Sequence, residues 1–288
     1  MLSRIVDQSL QFEYYDGGPP DDAPPGITTG WRTLPFLVFS ASTDGEFVLH
    51  VKGQPDAVIG TGAGWLVPAG VTHKVDVDAR RAWSMWCHMN YTVMGTVDFV
   101  SYLDVPRVLS AEQTAPLADA CLELVSLDKA PPPNPLQASS RRKELGFRFL
   151  THLIEVSKLR SERIDILIST RTIEPVLRYI QHHVAEDLTI QKLAAIACRS
   201  RSGLHQAFRE IMGKAPMQFV RDIRIRSAQL LLAGSDLRVG EIGQRVGYPD
   251  PFHFSRTFKA SSGLSPSRFR LEQRRGLWGQ GRPPAMRS

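Results

Sequence analysis

Residues 188–232, LTIQKLAAIACRSRSGLHQAFREIMGKAPMQFVRDIRIRSAQLLL, and residues 237–270, LRVGEIGQRVGYPDPFHFSRTFKASSGLSPSRFR, say nearly the same thing twice. Ile190 and Leu193 fall on Val239 and Ile242 at an offset of 49. Leu204, Phe208, Gly213, Pro216 and Phe219 fall on Phe254, Phe258, Gly263, Pro266 and Phe269 at an offset of 50. The second copy therefore holds one extra residue in the turn between its two helices. Each copy reads as a short apolar helix, a tight turn, a second helix ended by Gly, and a Pro that opens a third helix. Agreement at several positions at once makes an internal repeat a stronger signal than any single motif. The pattern is that of two helix-turn-helix units.

In the first unit Thr189 is placed to cap a helix with Ile190, Leu193, Ala194 and Ala197 on its apolar face, and Cys198 and Arg199 form the turn. Ser200 caps the second helix, whose Leu204, Phe208 and Ile211 point inward at steps of four and three. Arg201, Ser202, His205, Gln206 and Arg209 then face outward. In the second unit Phe254 and Phe258 are the inner anchors, and Phe252, His253, Ser255, Arg256 and Lys259 are outward. Arg pairs bidentately with guanine, Gln with adenine, and hydroxyls reach phosphates or base edges, so these faces suit a DNA major groove. The helix from Pro216 to about Leu232 joins the units and carries Arg221, Arg224 and Arg226. Its seventeen residues span roughly 25 Å, against about 34 Å between successive major-groove faces, so one chain is expected to reach two groove segments.

Charge supports a polyanionic partner. Residues 171–288 hold 20 Lys and Arg against 9 Asp and Glu, a balance of +11, and residues 1–170 hold 15 against 20, a balance of −5, together the net +6 of the chain. Basic charge confined to one segment points to nucleic acid as the partner of that segment.

From about Thr172 to Arg270 the chain resembles the DNA-binding domain of the AraC/XylS family of bacterial transcription regulators. Ile242, Gly247, Tyr248, Asp250, Phe254, Arg256, Phe258, Gly263, Ser265, Pro266 and Phe269 fall where the family signature places them, and Arg224, Ala228, Leu231 and Leu232 match its linking helix. The resemblance covers about a third of the chain. It implies base-reading roles for Arg201, Ser202, His205 and Gln206 in the first unit and for Phe252, His253 and Arg256 in the second. Ser200, Arg209, Arg221, Ser255 and Lys259 are the phosphate candidates. Departures are Cys198 where the family has a turn Gly, Gly203 in place of a larger residue, Gly243 in place of Ala, and Pro251 and Phe252 in place of polar residues. The first helix is therefore expected to read bases, and the second, Arg256 apart, mainly to grip backbone.

The amino-terminal half has strand-and-turn chemistry from about Phe36 to Tyr91, in EFVLHV, WLVPAG, HKVDV and WSMWCHMNYTV, with β-branched and aromatic residues at period two. An antiparallel sandwich or barrel follows. Gly17 to Gly26, rich in Pro and Asp, reads as a loop or mobile arm. Leu117, Cys121, Leu124 and Val125 share one helical face, APPPNP at 130–135 breaks the chain, and Ser139 to Leu159 is amphipathic through Leu145, Phe149, His152, Leu153, Val156 and Leu159. That helix either packs on its own domain or pairs with a second subunit. Residues 161–171 form a polar link. The stretch GAGWLVPAGVTHKV resembles the cupin-like sensor domain found beside this DNA-binding domain, which implies a small molecule inside the barrel. Trp65, His73, Trp83 and Trp86 are the effector candidates, with a sugar or an aromatic acid among the effectors considered, and ordinary core packing is the plain alternative for each.

A metal is not expected: His50, His73 and His88 lie on strands, but no His-x-His pair with a following Glu is present. No run approaches eighteen apolar residues, and Met1 to Gln11 lacks the basic start and apolar run of a leader. Three widely spaced cysteines, Cys87, Cys121 and Cys198, fit buried thiols in a reducing cytoplasm.

The expectation is an α+β chain: a cupin-like β-barrel with trailing helices over 1–135, an amphipathic helix and linker over 136–170 that is a candidate for dimerisation, an all-α double helix-turn-helix domain over 171–275, and a flexible tail over 276–288. Its expected function is sequence-specific regulation of transcription under a small-molecule effector, with the arm and the 139–159 helix as transmitters. No catalytic residue and no cofactor are expected. Partners are double-stranded promoter DNA, the effector, a second copy of the chain and, for an activator, RNA polymerase, with no membrane. The rival from another class is a cupin-type metal-dependent enzyme tethered to a DNA-binding domain.

Overall fold

The computed structural model describes residues 2–274 except 24, 78–80, 162 and 164–168. The expected tail at 276–288 and most of the expected link at 161–171 lie outside the described residues. Helix α1 (Leu2–Ser9) leads into β1 (Gln11–Ala23), followed by β2 (Arg32–Thr33), β3 (Leu37–Asp44), β4 (Phe47–Val51), β5 (Ala57–Ile59), β6 (Gly64–Val67), β7 (Thr72–Asp76), β8 (Ala82–Val93), β9 (Val97–Asp98), β10 (Leu103–Asp104) and β11 (Val108–Leu109). Helices α2 (Ala111–Lys129) and α3 (Pro135–Glu155) and a short strand β12 (Lys158–Leu159) complete this half. One sheet runs β1-β8-β3-β6-β11 with β9 on β8, a second runs β2-β7-β4-β5, and β10 pairs with β12. All these pairings are antiparallel. The strand orders are open, so the expected barrel is a pair of facing sheets that does not close into a ring.

Strand parity explains the layering, because alternate residues point to opposite faces. On the larger sheet Val38, Trp65 and Val67 turn toward the smaller one, where Phe47, Leu49, Ile59 and Val75 meet them in a buried core. Leu37, Phe39, Leu66, Met85, Cys87, Met89 and Tyr91 point the other way, onto Leu117, Cys121 and Leu124 of α2 and Leu145, Phe149 and Leu153 of α3. Strand β8 is covered on both faces: Met85, Cys87, Met89 and Tyr91 face the helices, and the alternating Ser84, His88, Asn90 and Thr92 are buried on the other side. The Phe39 and Phe149 rings meet edge-on at 5.2 Å, and the Tyr91 hydroxyl donates to the Gly146 carbonyl at 2.6 Å.

Three expectations need correction here. The arm at Gly17–Gly26 is largely a strand: Gly17, Gly18, Asp21, Asp22 and Ala23 pair with Cys87, Trp86, Ser84, Trp83 and Ala82. Pro19 and Pro20 fit because β1 is an edge strand and its register shifts between Gly18 and Asp21, so the ladder does not need their missing donors. The amphipathic helix begins at Pro135, capped by the Asn134 side chain, and ends at Glu155, so Leu159 belongs to β12 and is exposed. It packs on its own domain through Leu145, Phe149 and Leu153. Of the three thiols, Cys87 and Cys121 are buried but Cys198 is exposed, because it sits in the turn of the first helix-turn-helix unit.

The carboxy-terminal half is all-helical. A short helix (Glu174–His182) precedes the first unit, made of a support helix (Ile190–Ile196) and a recognition helix (Arg201–Met212). The linking helix (Pro216–Gly234) leads to the second unit, with support helix Val239–Arg245 and recognition helix Pro251–Ser262, and Pro266–Arg274 closes the chain that is described.

Candidate nucleic-acid interface

Each unit is held by its own aromatic core. Phe208 is fully buried and meets Phe219 edge-on at 5.7 Å. Phe258, also fully buried, lies 5.8 Å from Phe254 and 5.5 Å from Phe269. The repeated phenylalanines thus do the same job twice: they lock the recognition helix onto the helix that follows it. The two cores differ in their surroundings. The first unit is continuous with the apolar core of the amino-terminal domain, while the second forms a separate cluster with Ile225, Ala228 and Leu232 of the linking helix.

Local chemistry sets the helix ends. The Thr189 side chain accepts from Lys192 N and that of Ser200 from Gly203 N. In the second unit Asp250 accepts from Phe252 N, and Glu241 reaches back to the Arg238 N–H at 2.6 Å. Both recognition helices end at Gly213 and Gly263 in the left-handed region, with φ of 67° and 80°. The turns hold residues 197–200 and 246–250, so the extra residue of the second copy lies where the change of offset puts it. In the tighter turn Cys198 has φ 50°, and its counterpart Gly247 has φ 83°. A side chain is strained in that region and Gly is not.

The outward faces are as the repeat implies. Arg201, Ser202 and Gln206 are exposed and His205 is half-buried on the first recognition helix; Phe252, His253 and Arg256 are exposed on the second. Arg209, Arg221 and Lys259 are exposed and Ser255 is half-buried. Several of these side chains already have partners. Gln206 donates to Glu210 at 2.8 Å, and the Ser200 and Ser202 hydroxyls lie 3.1 Å apart. His253 packs edge-on against Tyr248 at 5.5 Å. Phe252 is 79% exposed, an uncommon degree of exposure for a large apolar ring.

The linking helix divides its three arginines. Arg221 faces solvent. Arg224 folds back, donating to the Val184 and Glu186 carbonyls at 3.0 and 2.6 Å and lying over the Tyr248 ring at 5.6 Å; burial draws its pKa below the usual arginine value. Arg226 faces the amino-terminal domain, where its charge lowers the pKa of Tyr15 and of the buried Asp98, although burial wins and leaves both raised. Leu230 packs against the core between the sheets. This helix therefore fastens the two units to each other and to the sheets. Pattern alone gave it a basic face but not these internal partners.

The four effector candidates separate by parity. Trp65, His73 and Trp86 come to the layer between the sheets, and Trp83 projects from the opposite face at a partly exposed strand end. Trp65 is a buried core residue, 5.2 Å from Phe47. His73 is buried, donating from Nδ1 to the Val71 carbonyl at 3.0 Å and accepting at Nε2 from Arg32 at 3.4 Å. Burial first, and the nearby Arg32 charge second, bring its pKa down to about 3, so the ring is neutral. Sequence reasoning passed over the neighbouring His88 as an effector residue. Its ring stacks on Phe36 at 4.3 Å and lies 4.7 Å from Trp86, and its buried Nε2 has no hydrogen-bond partner. Only strand parity with Trp86 could have flagged it. His50 is held by Asp56 and Asp76 at 2.6 and 3.0 Å. Among the described residues no three His, Cys, Asp or Glu side chains are grouped to hold a metal ion, and no helix is long and apolar enough to cross a membrane.

Two capped, aromatically locked recognition helices on one linking helix, behind a sheet-rich domain, define a helix-turn-helix DNA-binding regulator of transcription. Comparisons with known proteins agree. Residues 193–272 match the family model described as "Helix-turn-helix domain". The MmsAB operon regulatory protein of Pseudomonas aeruginosa is 29% identical over 251 residues, covering 82% of this chain and 76% of that protein. The arabinose operon regulatory protein of Escherichia coli is 37% identical over 94 residues, 32% of each chain. The structure of ToxT from Vibrio cholerae with bound unsaturated fatty acid matches 92% of this chain and 95% of its own at a TM-score of 0.51 and 13% identity, a likeness of fold. The carboxy-terminal half carries an AraC-type helix-turn-helix domain, and the chain is similar to transcriptional regulators of the AraC family.

Proposed function

We propose that the chain is a sequence-specific promoter-binding regulator whose DNA affinity is set by a small molecule held in its amino-terminal domain. The observation that carries this reading is the repeated exposure of polar helix faces on two independently locked units. Arg201, Ser202, His205 and Gln206 read bases through the first helix, and Phe252, His253 and Arg256 contact them through the second. Phe252 supplies an apolar ring suited to a thymine methyl. Ser200, Arg209, Arg221, Ser255 and Lys259 meet phosphates. The linking helix has 19 residues, roughly 28 Å of rise, which suits two recognition helices on one side of a duplex whose groove repeats about every 34 Å.

The domain reading goes with this: 1–135 senses, 136–170 supports and is a route to pairing with a second copy, and 171–275 binds DNA. Continuity of the apolar core from the sheets into the first unit supports coupling between sensing and binding, since a ligand can shift only arrangements for which its affinity differs. RNA polymerase is the further partner if the outcome is activation. The relatives' names as operon regulators support the reading over a tethered cupin-type enzyme. Selection of binding sites from random duplexes, followed by footprinting of the purified protein, tests it. Protection of two adjacent groove segments by one chain is expected, and a footprint of one segment per chain refutes the paired geometry.

A further inference from the structure

The described residues line an open cleft of about 520 Å³ at one end of the facing sheets. Its walls mix apolar side chains, Val51, Leu66, Val67, Pro68 and Val71 on the sheet side and Leu103, Val105, Pro106 and Val156 opposite, with polar surface of similar extent that includes Gln54. Three cations, Arg107, Lys158 and Arg160, stand on its lining against one carboxylate, Asp104. Arg107 is fixed in place, its Nη1 donating to the Pro55 carbonyl at 2.8 Å and its own carbonyl accepting from Leu66 N at 3.0 Å. Arg160 reaches Asp104 at 3.4 Å, a pair open to solvent and easily exchanged for another anion. The volume is that of a small-molecule site, too small for a folded partner.

We propose that this cleft, and not the filled layer between the sheets, is the effector site, and that its ligand is an amphiphilic organic anion, a carboxylate on an apolar aliphatic or aryl body. This rests on the reading of the chain as an effector-controlled regulator. The apolar side chains of the lining take the body of the ligand, and the surplus of cations takes its carboxylate, with Arg160 released from Asp104 to pair with it. Trp65 and His73 fill their own layer with core packing and internal hydrogen bonds, and none of the four residues expected from the sequence lines the cleft.

The position of the cleft also gives the ligand a lever. Its far wall is the β10–β12 ribbon, which follows α3 and precedes the DNA-binding half in the chain. That ribbon is anchored by Arg160 N on the Tyr102 carbonyl at 2.9 Å and by Arg163 Nη1 on the Ser101 carbonyl at 2.9 Å. A ligand that spans the sheets and the ribbon favours the arrangement in which this ribbon is held.

The test uses the full-length protein with decanoate, phenylacetate and acetate, and with decanol as a neutral control, read by calorimetric titration and by DNA affinity on a selected site. Decanoate or phenylacetate is expected to bind at least tenfold more tightly than decanol or acetate. The double substitution Arg107→Gln with Arg160→Gln is expected to remove at least tenfold of that affinity, with folding unchanged by circular dichroism. Carboxylate binding that survives the double substitution but is lost on Trp86→Ala overturns the site. A DNA affinity that answers to neutral sugars and to no carboxylate overturns the ligand class and leaves the effector reading standing. Carboxylate binding in the cleft without any change in DNA affinity supports the site and refutes its role as the effector switch.

Discussion

The two helix-turn-helix turns make a reciprocal experiment possible, because the chain carries Cys198 where its own repeat carries Gly247. Cys198 sits at φ 50°, where a side chain costs about 1–2 kcal/mol. Cys198→Gly relieves that strain but adds about 0.5–1 kcal/mol of unfolded-state entropy, so a net gain of about 0.5–1 kcal/mol is expected. The reverse change is far more costly. A Cβ at Gly247, whose φ is 83°, would lie 2.7 Å from the Arg224 guanidinium and 2.7 Å from the Val184 carbonyl. Gly247→Ala therefore adds the left-handed strain and also pushes Arg224 off the carbonyls it holds. Hydrogen bonds to a charged donor contribute about 1.5–3 kcal/mol, and Ala offsets about 0.5–1 kcal/mol by lowering the unfolded-state entropy, so the total loss should reach about 2–4 kcal/mol. Urea midpoints of the full-length protein at unchanged slope read the stability, and amide exchange across 190–212 and 239–262 assigns the change to one unit. If Cys198→Gly destabilises as much as Gly247→Ala, the account of the two turns is wrong.

Arg256→Ala should cost about 1–3 kcal/mol on the cognate site and relax one base position, whereas Arg221→Ala should weaken all sequences alike and reduce the salt slope by about one unit; binding across a salt series on site variants separates the two. Phe258→Ala should cost about 3–5 kcal/mol by opening a cavity among Phe254 and Phe269, and exchange should rise in the second unit while the first, whose core is continuous with the sheets, stays protected. His73 has its folded pKa lowered from 6.5 to about 3. Its contribution is therefore complete above pH 6.5 and is lost progressively as pH falls toward 3, because the unfolded chain takes the proton first; the slope is at most about 1.4 kcal/mol per pH unit for one group. His88, lowered by burial in the same sense, adds to it. His73→Gln should flatten the dependence of the urea midpoint between pH 7 and 5, and an unchanged slope would mean that His73 is already charged in the native state.

Much of the DNA-binding half was legible in the residues themselves. Apolar spacings of three and four, Ser and Asp caps, and Gly and Pro at the ends are local rules, and they placed both recognition helices and their inner phenylalanines. The same spacing placed α2 and most of α3. Where the reading failed, the deciding partner was remote in sequence. Pro19 and Pro20 look like loop until β8 supplies an edge that tolerates a shifted register. Trp65 and His73 look like pocket residues until the facing sheet and Arg32 fill the space around them. Leu159 fits a helical stripe that ends before it reaches that residue.

By itself, then, the order of residues determined where the helices of the two repeated units start and stop, which faces they bury, and that one half is a duplicated basic DNA reader. Tertiary structure alone decided that the sheets remain open, that Arg224 is spent on backbone carbonyls and Arg226 is turned inward while Arg221 is exposed, and that a cleft with three cations on its lining forms between the sheets and the β10–β12 ribbon. Helices are written in contacts three or four residues apart. The cleft joins Val51 to Arg107 and Arg160, and the linking helix meets Tyr15 and Val184, and such pairings exist only once the chain has closed on itself.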